Sequence, residues 1–122
     1  MKKRILIVDD EAGITTSLKL GLKRKGYQVD TYNDPLVALS NFRSGAYDLV
    51  VIDIRMPQMS GFELCREIRK IDESIKVCFF TAFEIYREEF HMIFPELSVD
   101  CFLRKPMSIA EFSNAVKPLM DG

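Results

Sequence analysis

The sequence predicts an α/β fold: five strand–helix units, (βα)5, whose strands make one doubly wound parallel five-stranded sheet in a three-layer stack. Three observations predict it. Short apolar runs alternate with helix-period patterns five times along 122 residues. Runs such as Leu49-Val50-Val51-Ile52 and Val77-Cys78-Phe79-Phe80 are apolar on both alternating faces, which marks strands covered on two sides. The helical stretches carry legible start and stop signals. Right-handed crossovers between successive parallel strands then place helices on both faces of the sheet.

The elements follow in order. The first strand, at 4–8, ends on Asp9-Asp10. The first helix sets Ile14, Leu18 and Leu22 on one stripe and closes with Lys23-Arg24-Lys25 and Gly26, suiting the helix dipole and a left-handed cap. A second strand at 27–32 leads to Asn33-Asp34-Pro35, a capping residue followed by proline at the first helical position. The third strand, at 48–53, precedes a helix that opens with a capping box from Ser60 to Glu63 and turns Phe62, Cys65 and Ile68 inward. A fourth strand at 76–80 is followed by a weaker helix at 84–94, where Ile85, Phe90 and Ile93 fit the period less cleanly. After a fifth strand at 101–103, the last helix begins with a second capping box, Ser108 to Glu111, and buries Ile109, Phe112 and Val116.

Composition excludes several classes of function. A chain of this length builds one core and is read as a single domain over residues 1–122. With 17 basic and 18 acidic residues the net charge is −1, so there is no bulk electrostatic case for nucleic acid or an anionic membrane. No apolar run is longer than that from Leu49 to Ile52, which is far too short to span a bilayer. Met1-Lys2-Lys3-Arg4 has the look of a signal-peptide start, but Asp9 and Asp10 cut its apolar stretch short. Three cysteines (Cys65, Cys78, Cys101) without a CxxC spacing give neither a disulfide framework nor a zinc site, and they suit a reducing cytoplasm. His91 is the only histidine and offers no metal cluster.

Chemistry gathers at the strand ends. Doubly wound sheets bind ligands outside the carboxyl ends of their strands, where the strand order reverses. Those ends carry Asp9 and Asp10, Asp53, Thr81 and Lys105 after the first, third, fourth and fifth strands. A flavodoxin-like order, 2-1-3-4-5, makes the first and third strands neighbours and brings three carboxylates into one cleft. Such a cluster repels itself unless a hard divalent cation sits in it, and all-oxygen ligation favours Mg²⁺ or Mn²⁺ over zinc. Glu11 reads as a solvent-exposed residue at the helix start.

The strings ILIVDDE, LVVIDIRMPQMSG, FFTA and FLRKP, in that order and each at a strand end, resemble the receiver domain of two-component response regulators. The resemblance runs from about Lys3 to about Leu119. It implies that Asp53 is the phosphoacceptor and that Asp10 binds Mg²⁺ directly, Asp9 through water and Arg55 through its backbone carbonyl. Thr81 and Lys105 would each hold a phosphoryl oxygen, and Lys105–Pro106 would be a cis peptide. Thr81 and Phe102 take the switch positions. Arg55 and Phe83, two residues beyond Asp53 and Thr81, would flank the phosphoryl group, shield it from water and slow self-dephosphorylation.

The implied protein is a signalling switch that catalyses only its own phosphorylation and dephosphorylation. A sensor histidine kinase or histidine phosphotransfer protein supplies the phosphoryl group, and the surface around the 84–94 helix and the fifth strand changes in response. A homodimer through those two elements and the last helix is a further possible partner. Two alternatives remain: a pseudo-receiver that binds a partner without phosphorylation, and a Mg²⁺-dependent aspartyl-phosphate phosphohydrolase. The second fits poorly, because haloacid-dehalogenase-like phosphatases place a second Asp where Arg55 stands. The stretch HMIFPELSVD departs from the family's small-residue turn, so the 84–94 helix is expected to be short or irregular.

Overall fold

The computed structural model describes residues 2–82, 91–92, 95 and 99–121. The order is β1 (Arg4–Val8), α1 (Ala12–Arg24), β2 (Gln28–Tyr32), α2 (Pro35–Asn41), β3 (Leu49–Ile52), α3 (Gly61–Ile71), β4 (Lys76–Thr81), β5 (Cys101–Arg104) and α4 (Ile109–Met120). The strands form one sheet in the order β2-β1-β3-β4-β5, and every pairing is parallel, as the apolar runs predict. The 84–94 helix falls almost wholly outside the described residues, as do Phe83, Phe90, Ile93 and Phe94.

Alternation along each strand splits the core into two layers. Leu6 and Val8 of β1 join Val50, Ile52, Val77 and Phe79 against Leu64, Cys65 and Ile68 of α3. Ile5 and Ile7 point the other way, with Val51, Cys78 and Phe80, against Leu18 and Leu22 of α1 and Phe112 and Val116 of α4. Both faces are therefore dry, which is why these strands are apolar throughout rather than at every second residue.

Helix ends follow local chemistry, with two differences from expectation. Gly26 closes α1 at φ 98°, and Asp34 caps α2 by accepting from the Leu36 N–H. The Ser108–Glu111 capping box is complete. At α3 it is half formed: Ser60 Oγ accepts from the Glu63 N–H, but the Ser60 hydroxyl takes the Glu63 carboxylate instead of leaving it for a backbone amide. Ile109 is partly buried rather than buried, because it lies in the first turn of α4 against Gly21 of α1, at the rim of a groove between the two helices.

Candidate functional site

The ladder that builds the sheet also places the polar strand ends. Val8 pairs with Ile52, so the next residues, Asp9 and Asp53, emerge side by side. Each is still pinned by one more bond: the Asp53 N–H donates to the Val8 carbonyl at 3.0 Å, and the Asp9 N–H to the Tyr32 carbonyl at 3.1 Å. On the other side β4 runs through Thr81, one residue beyond the predicted end, because Thr81 pairs with Arg104. The Lys105 N–H then donates to the Thr81 carbonyl at 2.9 Å. Register therefore delivers all four to one end of the sheet.

Asp9, Asp10 and Asp53 offer ligand oxygens that all lie within 4.8 Å of one another. Asp9 and Asp53 are nearly enclosed, at 2% and 6% exposure, whereas Asp10 is open to solvent. Lys105 Nζ donates to Asp9 Oδ2 at 2.7 Å and stands 3.6 Å from Asp53 Oδ2. Its third neighbour, Glu11 Oε1, is 3.5 Å away. Glu11 is exposed at the start of α1, as its sequence reads, yet it belongs to this cluster. The signal for it was the third acid in the Asp9-Asp10-Glu11 run.

Burial sets the electrostatics. It pushes the Asp53 carboxyl up to about 6, with the Asp9 charge adding to the rise while Lys105 and the Ile54 N–H oppose it. Asp9 is also raised, first by burial and despite its bond to Lys105. Burial works against the Lys105 ammonium, but the Asp9 bond and the charges of Asp9, Asp53 and Glu11 outweigh it and raise its pKa. Among the described residues three carboxylates, Asp9, Glu11 and Asp53, thus face one ammonium, and Asp10 adds a fourth acid to the cluster, so that its ligand atoms are all oxygens. Such a set fits a hard divalent cation and disfavours a soft one.

A stability prediction follows for the metal-free protein. Between its ordinary value of 3.8 and about 6, folded Asp53 holds its proton where unfolded Asp53 does not. Stability from this group therefore falls as pH rises through that window and is restored as pH drops. With chelator present at pH 7.5, Asp53→Asn is expected to be more stable than wild type by about 1–2 kcal/mol, a gain that shrinks toward pH 4. Thermal melts across pH check this, and a constant difference between the two proteins would contradict it.

The other predicted residues fall into place unevenly. Thr81 is buried at the end of β4. Lys105–Pro106 is a cis peptide. Arg55 is exposed at the start of the β3–α3 loop, and Phe83 lies outside the described residues. Phe102 is partly buried, its ring 5.5 Å from Phe79. Cys65 and Cys78 are core residues and Cys101 is partly exposed. The sequence reading missed the side-chain role of Asn33, whose amide reaches the Asp9 carbonyl, and the close approach of Gly61 to the Asp53–Ile54 backbone.

Fold and site together define a class: a parallel α/β sheet that collects carboxylates and a lysine at the carboxyl ends of its central strands. Residues 5–117 match the family model described as the response regulator receiver domain, and the chain belongs to that family. Its members are receiver domains of two-component systems, regulatory phosphoacceptors for which phosphorylation and Mg²⁺ binding are typical.

The chain is 36% identical over 121 residues to the alkaline phosphatase synthesis transcriptional regulatory protein PhoP of Bacillus subtilis, matching 98% of this chain and 49% of that one. It spans about half the length of the curated relatives it matches. The non-phosphorylated HemR receiver domain of Leptospira biflexa superposes with a TM-score of 0.88 at 31% identity, over 99% of this chain and 96% of that one. The response regulator TrrA of Thermotoga maritima, solved with Mg²⁺ and BeF, does so at 0.82 and 40% identity, over 96% and 98%. TrrA bound to the histidine kinase ThkA gives 0.82 and 39%, over 98% and 99%. Among the described residues, no helix is long and apolar enough to cross a membrane.

Proposed function

We propose that the chain is one cytoplasmic receiver domain in which Asp53 accepts a phosphoryl group from a histidine kinase or histidine phosphotransfer protein. The observation that carries this reading is the meeting of Asp53 with Asp9, Asp10 and Lys105 in one acidic pocket. The family match and the kinase-bound relative support it. The finer assignments below are part of the same proposal.

Asp53 Oδ1 accepts from the Ile54 N–H at 2.8 Å, which fixes the carboxylate plane and leaves Oδ2 toward Lys105. Oδ2 attacks phosphorus in line, the bond from phosphorus to the donor imidazole nitrogen breaks, and the imidazole leaves with the electron pair. Three equatorial oxygens then carry the charge. Lys105 turns from Asp9 to one of them, and the Thr81 hydroxyl holds another. Asp10, Asp9, Asp53 and the Arg55 carbonyl are the groups that would hold Mg²⁺ or Mn²⁺. The ion, when bound, neutralises phosphoryl charge. Thr81 and Phe102 relay the change to the surface around β5 and the 84–94 segment, where an output partner or a second copy of the chain docks. Arg55 and Phe83 shield the acyl phosphate from water.

Incubation with a small-molecule phosphodonor, followed by intact mass over time, tests the reading. The expected result is one phosphoryl adduct that forms with Mg²⁺ and fails to form with chelator. Steady release of phosphate without an adduct would make the protein a hydrolase. No adduct from either the small donor or a kinase would make it a phosphorylation-independent binding module.

A further inference from the structure

Asn33 has no place in the reading above, and it is not spent on capping. Asp34 caps α2, its Oδ1 accepting from the Leu36 N–H at 2.9 Å. The Asn33 side chain turns instead to the end of β1. Its Nδ2 donates to the Asp9 carbonyl oxygen at 2.8 Å and to Thr15 Oγ1 at 3.0 Å. Chemistry dictates that orientation, because a backbone carbonyl can only accept. Thr15 is buried, and its own hydroxyl proton goes to the Ala12 carbonyl at 3.1 Å, leaving a lone pair for Asn33.

We infer that Asn33, braced by Thr15, is a positioning residue that sets the Asp9–Asp10 peptide for cation binding. The inference rests on the pocket's being a Mg²⁺ site. A peptide unit is planar, so holding the Asp9 carbonyl also fixes the Asp10 nitrogen and Cα, the atom from which the Asp10 side chain departs. Asp10 is exposed and has no core packing to hold it. The end of β2 and the residue after it grip Asp9 on both sides, through the Tyr32 carbonyl on its N–H and Asn33 on its carbonyl. The Asp9 carboxylate is held in turn, Oδ1 accepting from the Glu11 N–H at 2.9 Å and Oδ2 from Lys105. Asn33 thereby ties the edge strand to the aspartate pair, and Thr15 ties both to the first turn of α1.

Calorimetric titration of MgCl₂ into wild type, Asn33→Ala, Thr15→Val and the double variant tests this without any phosphorylation step. Outer hydrogen bonds to ligating groups are worth roughly 10–100-fold in metal affinity. The expected loss is roughly tenfold for Asn33→Ala and roughly threefold for Thr15→Val. The double variant should be no weaker than Asn33→Ala, since Thr15 acts through Asn33. An unchanged Mg²⁺ affinity in a folded Asn33→Ala protein, with or without a lower melting temperature, overturns the inference and leaves the pocket reading intact. Wild type that takes up no Mg²⁺ overturns both. Should Asn33→Ala not fold, Thr15→Val decides: wild-type affinity there refutes the brace.

Discussion

Replacing Asp53 with Ala or Asn is expected to abolish the Mg²⁺-dependent phosphoryl adduct, lowering its rate of formation by on the order of a thousandfold or more. The size of the effect follows from the pocket. Asp9 is nearly enclosed, with one oxygen held by the Glu11 N–H and the other by Lys105, so it presents no free oxygen for in-line attack. Asp10 faces solvent and lacks a lysine contact among the salt bridges of this cluster. Asp53 combines a carboxylate plane fixed by the Ile54 N–H with an Oδ2 that faces the ammonium at 3.6 Å, too far to be spent on a hydrogen bond to it. Intact mass reads the adduct, and borohydride reduction followed by peptide mapping locates it. An adduct of wild-type yield on the Asp53→Ala protein would remove Asp53 from its proposed role. The Asn variant separates chemistry from folding, because it is also expected to be the more stable protein without metal at neutral pH.

The second large effect is expected at Gly61. A Cβ there would lie 2.9 Å from Ile54 Cα and closer still to the Asp53 carbonyl oxygen. The Gly61 N–H donates to the Ile54 carbonyl at 2.7 Å, so α3 begins in direct contact with the peptide that follows Asp53. The obstacle is backbone on both sides, and neither a rotamer change nor a flexible side chain can relieve it. Gly61→Ala must push α3 away from the β3 end, which costs about 2–3 kcal/mol and lowers the melting temperature by roughly 10 °C. Because the displaced atoms belong to Asp53, phosphorylation should slow as well, by at least tenfold as an order-of-magnitude expectation. Thermal unfolding and adduct kinetics measure the two effects. A variant as stable as wild type would mean that this approach is not a tight one. Loss of stability with an unchanged phosphorylation rate would show that the contact seats the helix without governing the carboxylate.

Gly61 also shows where sequence reading stops. Its position just after Ser60 reads as a turn and helix entry, and α3 does begin there. What the residue excludes, a side chain between α3 and the Asp53 carbonyl, depends on a contact eight residues away in sequence. Asn33 is a similar case: next to Asp34-Pro35 it looks like part of a helix start, and its partners Asp9 and Thr15 lie on another strand and another helix. Glu11 reads as an exposed helix-start residue and is one, but the lysine it meets comes from the far end of the chain.

By itself the sequence determined the class of fold, the parallel sheet and the set of polar residues at its carboxyl edge. Those follow from short-range chemistry: short continuous apolar runs, helix caps, and polar residues placed directly after strands. Strand ends were read to within a residue or so, since the last pairs of a ladder, such as Thr81 with Arg104, form only against a neighbouring strand. The convergence of Asp9, Asp10 and Asp53 was legible from the strand order, but the tertiary structure alone decided that three carboxylates compete for Lys105 and that Asn33 and Gly61 set the backbone beneath them. The physical reason is distance. Charge coupling and backbone approach change over an ångström, and register, twist and helix seating fix that ångström only when the whole chain has packed.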